Sequence, residues 1–431
     1  MNQFLLIFAI FYVVEKIISF GLSWLNLRFI TLHQESVPDF FRETVPLEEY
    51  RKSIRYTRDK TRLQMVASLI AIPLFWGMLL TGFWGQLDSW ARSGGRGEIL
   101  TGLIFLGSMY GIFYLISLPF DLYAIFRIEQ RYGFNKMTLQ LWLIDFGKGL
   151  LLIASLGSLV TSAVLWFMNQ FADKPWWLYV WILLSAVQLF ILSLYPVFIV
   201  PLFNKLSPLP AGNLRDRIIN LSQQVRFPMK EIFLMDGSKR SAHSNAFFAG
   251  MGRFRRIVLY DTLIQSLTED ELIAVLAHEI GHYKKKHTRT FFLINLGFSF
   301  VGLYVLAILI DSIWFYQAFG FLRASSHAAL FIFASSSGTF LFFIEPLFSW
   351  FSRRNEYAAD LYAAQVLQNI HALSCALVKL TRNNLSNLTP HPLYSFFYYA
   401  HPTTVERISV LERQYANRIE PSNPAKCSEL K

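Results

Sequence analysis

Seven apolar runs, each long enough to cross a bilayer, constrain this chain more than any other feature. To within a few residues they occupy 4–25, 63–80, 99–118, 150–168, 177–200, 291–310 and 328–350. A run of roughly 20 apolar residues spans about 30 Å of hydrocarbon only as a helix, because lipid offers no partner to an unpaired backbone group. The overall balance agrees: 54% of the 431 residues are hydrophobic and only 16% are charged, too apolar for a water-soluble domain. The expected fold is a mainly α, polytopic membrane protein with about seven transmembrane helices.

The first run lacks a basic leader and an Ala-x-Ala site and carries Glu15 and Lys16 at mid-span, so it reads as a retained helix. Charges at that depth turn toward a bundle interior, a partner or water. Basic residues set an orientation. Arg51, Lys52, Arg55, Arg58, Lys60 and Arg62 precede the second run, and Arg127, Arg131, Lys136 and Lys148 follow the third. The alternate connections hold few: Arg92 and Arg96, Lys174, and Arg323. The positive-inside rule then places the N-terminus outside or in a lumen, and the C-terminus and the 201–289 connection in the cytoplasm. The compartment is a bacterial inner membrane or the endoplasmic reticulum, depending on source. The net charge of +11 is accounted for by these loops and favours the lipid bilayer as a partner. No nucleic-acid-binding motif accompanies it, so no nucleic-acid partner is expected.

The chemistry lies in the cytoplasmic connection. His278-Glu279-Ile280-Gly281-His282 is an H-E-x-x-H run in a segment that should be helical, since Thr268-Glu269-Asp270-Glu271 has capping-box spacing. Two imidazoles four residues apart share a helix face and can reach one tetrahedral zinc, with Glu279 beside the metal as general base. A catalytic site needs a third protein ligand. His287, five residues after His282, faces elsewhere on an ideal helix. Glu356 and Asp360 share a face at i and i+4 and could supply one ligand and one carboxylate behind a histidine, although a solvated acidic face has the same spacing. Cys375 and Cys427 are too few for a cysteine zinc site, and both read as free thiols.

Taken together, His278-Glu279-Ile280-Gly281-His282 and the distant Asn355-Glu356-Tyr357-Ala358-Ala359-Asp360 resemble the type I CAAX prenyl proteases, integral-membrane gluzincin metallopeptidases. Glu129 to Lys136, Pro201 to Lys205, His243-Ser244-Asn245-Ala246, Tyr260-Asp261-Thr262-Leu263 and His401-Pro402 extend the resemblance over most of the chain. It implies one zinc per chain on His278, His282 and Glu356, with Glu279 as the base and Asp360 orienting His278. It further implies Asn245 on an edge strand against substrate backbone, His401 at a developing oxyanion and Arg407 on substrate carboxylates. Spacing alone would make His401 a loop histidine and Arg407 a structural ion-pair partner. In this family seven helices enclose a water-filled chamber with a zincin-like catalytic region at its cytoplasmic end.

The expected organisation is five transmembrane helices in 1–200, a cytoplasmic loop with strands and the zinc helix in 201–289, two further spans in 290–350, a helical catalytic part in 351–419 and a disordered tail in 420–431. The expected activity is hydrolysis of peptides or prenylated peptides after a prenylated cysteine. A broader membrane quality-control protease, a non-peptidase zinc hydrolase and a zinc-binding transporter or scaffold are the other readings of the same residues.

Overall fold

The computed structural model describes residues 2–229, 231–249 and 256–415. Its long helices are α1 (Gln3–Leu32), α2 (Leu47–Leu80), α4 (Glu98–Tyr132), α5 (Leu139–Gln170), α6 (Trp176–Leu194) and α10 (His287–Leu309), with the short α3 (Phe83–Arg92) on the loop between α2 and α4. All six long helices are long and apolar enough to cross a membrane. Several exceed the apolar runs that predict them. A helix of 34 residues is about 50 Å long, so α2 continues past the hydrocarbon into the basic segment 51–62.

The 328–350 run is not one straight span. It divides into α12 (Ser326–Phe342) and α13 (Glu345–Leu367), which meet at 63°. Pro346 explains the break: it has no N–H to donate, and its ring would strike the carbonyl four residues back, at Phe342, where α12 ends. Proline is instead accommodated in the first turn of α13. The bend carries the second half of the run against the helix that bears His278 and His282.

Between α6 and α10 lies an α/β unit. Strands β1 (Leu206–Pro208), β2 (Glu231–Met235), β3 (Ala246–Ala249) and β4 (Arg256–Tyr260) form one sheet in the order β1-β2-β4-β3. β2 and β4 run parallel; β1 and β3 pair antiparallel at the two edges. Helices α7 (Asn213–Gln224), α8 (Asp261–Ser266) and α9 (Glu269–Lys284) complete the unit. Beyond α10, α11 (Ile313–Gln317) precedes α12, and α14 (Ile370–Asn383), α15 (Pro392–Tyr398) and α16 (Thr404–Tyr415) follow α13.

Two apolar cores sit at opposite ends of the molecule. One gathers Ile30, Tyr50 and Ile54 with α9, α14 and α16. The other gathers Phe8, Trp84, Phe105, Phe319 and Phe331. Between them the helices bury almost nothing: α1 has Phe8 and then no buried residue until Asn26, and α2 none between Thr61 and Leu79. The spans thus behave as staves joined at both ends and parted in the middle, the form an enclosing chamber requires. Glu15 is a mid-span exception: it takes a hydrogen bond from the Thr339 hydroxyl on α12 at 3.0 Å and pairs with Lys16 at 2.6 Å.

One expectation fails. Cys375 is in a disulfide and is not a free thiol, while Cys427 and the 420–431 tail lie outside the described residues.

Candidate metal centre

Helix α9 begins with the capping box its sequence predicts. The Thr268 N–H donates to Glu271 at 2.8 Å and the Glu271 N–H to the Thr268 hydroxyl. Glu271 is fully buried and also holds Lys379 of α14, so the cap pins the helix to the core. His278 and His282 then project on one face toward α13. Gly281 lets the two helices touch there: a Cβ at this position would stand 3.0 Å from both the Cα and the carbonyl oxygen of Ala359.

That contact brings Glu356 onto the histidine pair. His278 Nε2 and His282 Nε2 lie 3.1 Å apart, 3.5 and 3.3 Å from the two Glu356 oxygens, and the three side chains offer donor atoms within 4.8 Å of one another. His278 Nδ1 faces Asp360 Oδ1 at 2.7 Å. A carboxylate there takes the Nδ1 hydrogen and leaves the Nε2 lone pair aimed at its counterpart on His282. With both imidazoles neutral, two converging lone pairs beside Glu356 Oε2, a buried carboxylate oxygen without a hydrogen-bond partner among the described residues, repel unless a cation, proton or metal, lies among them. These residues therefore fit a divalent metal with nitrogen and oxygen ligands.

The electrostatics agree. Burial and Arg407 lower the proton affinity of His278, but Asp360 and Glu356 more than offset them and raise its pKa to about 9. Against the cost of burial, the two imidazoles hold the Glu356 carboxyl well below the usual carboxylate range. Glu279, half-buried at the cavity wall, is shifted the other way: burial pushes its carboxyl up.

The other candidates have distinct placements. The Arg407 guanidinium forks onto both Asp360 oxygens at 2.8 and 2.6 Å and reaches within 3.6 Å of Glu356, so its charge is engaged behind the histidines. His401, with a side chain 68% exposed, stands over the site, its Nε2 3.4 Å from Glu356. Asn245 immediately precedes β3 and prolongs its ladder, accepting from the Tyr260 N–H at 3.2 Å. All three line one cavity of about 770 Å³ with His278, Glu279 and Glu356, and it extends to Tyr56 and Lys60 of α2.

Two features escape the sequence reading. His287 is at the site after all: beyond the end of α9, Lys286 adopts a left-handed conformation (φ 60°) at the start of α10 and swings His287 back to 2.9 Å from His282 Nδ1. The cavity is also lined by His243, stacked on Phe134 and hydrogen-bonded to Asn384 and Glu129. Both His243 and Glu129 fall in the motifs that carried the family resemblance, which was the available signal.

Comparison with known proteins follows the same division. Residues 26–205 match the family model described as CAAX prenyl protease N-terminal, five membrane helices, and residues 208–415 match peptidase family M48. The chain is 36% identical over 400 residues to CAAX prenyl protease 1 homolog of Arabidopsis thaliana, covering 90% of this chain and 94% of that one. It is 34% identical to CAAX prenyl protease 1 of Saccharomyces cerevisiae, covering 90% and 92%. The crystal structure of S. mikatae Ste24p superposes with a TM-score of 0.89 at 30% identity, over 96% of this chain and all of that one.

Proposed function

The chain belongs to peptidase family M48, in the branch with the five-helix CAAX prenyl protease N-terminal region, and from that premise we propose that it cuts prenylated peptides on the carboxyl side of the lipidated cysteine. It is a multi-pass membrane metallopeptidase. The metal we assign is one zinc ion, on His278, His282 and Glu356. The observation that carries the proposal is the convergence of those three ligands, with Glu279 beside them, in one cavity that also presents an edge strand.

When bound, zinc supplies Lewis acidity to the scissile carbonyl and lowers the pKa of the attacking water. Glu279 accepts the proton of that water and returns it to the leaving amine, a cycle its raised proton affinity favours. Asp360, held by Arg407, keeps the His278 hydrogen on Nδ1. Asn245 and the edge of β3, unpaired among the described residues, hold the substrate backbone extended, as in strand addition. His401, poised above Glu356, donates to the oxygen on which negative charge develops. The basic loops orient this site toward the cytoplasm.

The test is cleavage of a farnesylated C-a-a-X peptide and its unprenylated twin by detergent-purified protein, with Glu279→Gln and a chelator as controls. Cleavage of the prenylated peptide alone, lost in both controls, is expected. Equal cleavage of both would replace the proposal with a broader membrane protease.

A further inference from the structure

His282 is the one proposed metal ligand whose second ring nitrogen faces another histidine. Its Nδ1 lies 2.9 Å from His287 Nδ1, with the rings nearly perpendicular at 74° and 5.0 Å between centroids. On a continuous helix a residue five positions on lies about 140° around the axis and could not make this contact. The left-handed Lys286 makes it possible, in a backbone conformation that glycine adopts more readily than lysine. His287 itself is buried and is the first residue of α10.

From this geometry we propose that His287 is a positioning residue for the metal centre, accepting a hydrogen bond from His282 Nδ1–H and so fixing His282 in the tautomer that presents Nε2. The proposal rests on the metal site assigned above. Its direction follows from the contacts. His282 Nε2 points at His278 and Glu356, so it must carry a lone pair to serve as ligand, and the single ring hydrogen must be on Nδ1. Among the described residues the hydrogen-bond partner of His282 Nδ1 is His287 Nδ1, which therefore accepts and carries its own hydrogen on Nε2. The two histidine ligands are thus backed differently: His278 by the carboxylate of Asp360, His282 by a neutral ring. The second support also starts a membrane span, which ties the angle at which α10 leaves the catalytic unit to the geometry of a ligand.

The experiment measures zinc affinity by competition with a chromophoric chelator and the visible spectrum of the cobalt-substituted protein. The variants are H287L, which removes the acceptor, H287K, which offers only donors, and H287N, whose carbonyl oxygen can occupy the place of Nδ1. H287L and H287K are expected to bind zinc roughly 10- to 100-fold more weakly, the usual cost of losing a ligand's outer partner, with a shifted cobalt band. H287N should stay within a few-fold of wild type on both readouts. Wild-type affinity and spectrum in H287K, or an H287N as impaired as H287K, would overturn the proposal, and these polar variants keep it testable if H287L does not fold. H282A serves as the reference: if it leaves zinc binding intact, the metal-site assignment itself fails, whereas loss in H282A with none in H287K refutes only the role of His287.

Discussion

Gly281 and Ala359 touch backbone to side-chain space, with a Cβ on Gly281 placed 3.0 Å from the Ala359 Cα and carbonyl oxygen. Ala359 lies one turn beyond Glu356 on the same face of α13, so this contact sets how closely the carboxylate approaches the histidines. In an exposed helix, Gly→Ala adds about 1 kcal/mol of helix stability. Here the methyl meets backbone that cannot swing aside, and overpacking typically costs about 1–3 kcal/mol. Gly281→Ala should therefore lower the unfolding temperature and weaken metal binding, and Gly281→Val should do both more strongly. Thermal unfolding with and without zinc measures the effect; a stabilised G281A would show that α13 yields freely.

Glu279 can be separated from the metal. Its carboxylate faces the cavity and is absent from the three-ligand cluster. Glu279→Gln should lower kcat by about 100-fold or more, the usual share of a general base, while zinc content by elemental analysis stays near one per chain.

Much of this arrangement is legible in the sequence because it depends on local signals. The capping box at Thr268 fixes where α9 starts, and the apolar stretches at Glu231–Met235 and Arg256–Tyr260 are the two central strands. What is not legible depends on single backbone events or on long-range pairing. Lys286 adopts a left-handed turn without glycine to announce it, which is why His287 reads as facing away. Pro346 turns an apparently continuous apolar run by 63°. The Arg407–Asp360 fork joins residues 47 positions apart, and periodicity carries no trace of it. Strand β1 is three residues ending in proline, too short for an alternating pattern.

Arg407, its side chain largely covered, lies between two carboxylates, and its removal would take a countercharge away from Asp360 and Glu356. Loss of one partner from a buried ion pair commonly costs about 3–5 kcal/mol. Arg407→Leu should lower the unfolding temperature and zinc affinity together. Arg407→Lys, which keeps the charge but not the two-pronged geometry, should fall between. If either variant instead raised KM with stability and zinc content unchanged, Arg407 would contact substrate and not support the ligands.

At the proposed site, proton and metal compete for His278. Its folded pKa of about 9 exceeds the ordinary 6.5, so in the metal-free protein the charged imidazole contributes stability that is fully present below pH 6.5 and is lost as pH rises through 9. Metal binding must displace that proton, and apparent zinc affinity should rise with pH over the same interval. The metal-stripped protein should then lose stability between pH 7 and 9.5 while the zinc-loaded protein does not. Unfolding temperatures of the two forms across that range test this; parallel profiles would remove His278 as the linked group.

The far end of the bundle offers a test of the two-core plan. Asp88 on α3 accepts from both His327 Nε2, at 2.6 Å, and Arg92, at 3.1 Å, and both Asp88 and His327 are buried. Although burial opposes ionisation, the hydrogen bonds from His327 and Arg92 hold the Asp88 carboxyl below its ordinary range. Asp88→Asn removes the charge and one acceptor, leaving His327 and Arg92 partly unpaired at the apolar core around Trp84 and Phe105. The metal site is far away: the 18 residues of α1 from Phe8 to Asn26 alone span about 27 Å. Because few buried contacts link the two cores, D88N should lower the unfolding temperature, by an amount corresponding to about 3 kcal/mol, while zinc affinity stays unchanged in the folded protein. Coupled loss of stability and zinc affinity would mean that the staves transmit strain along their length, and that the two ends form one cooperative core.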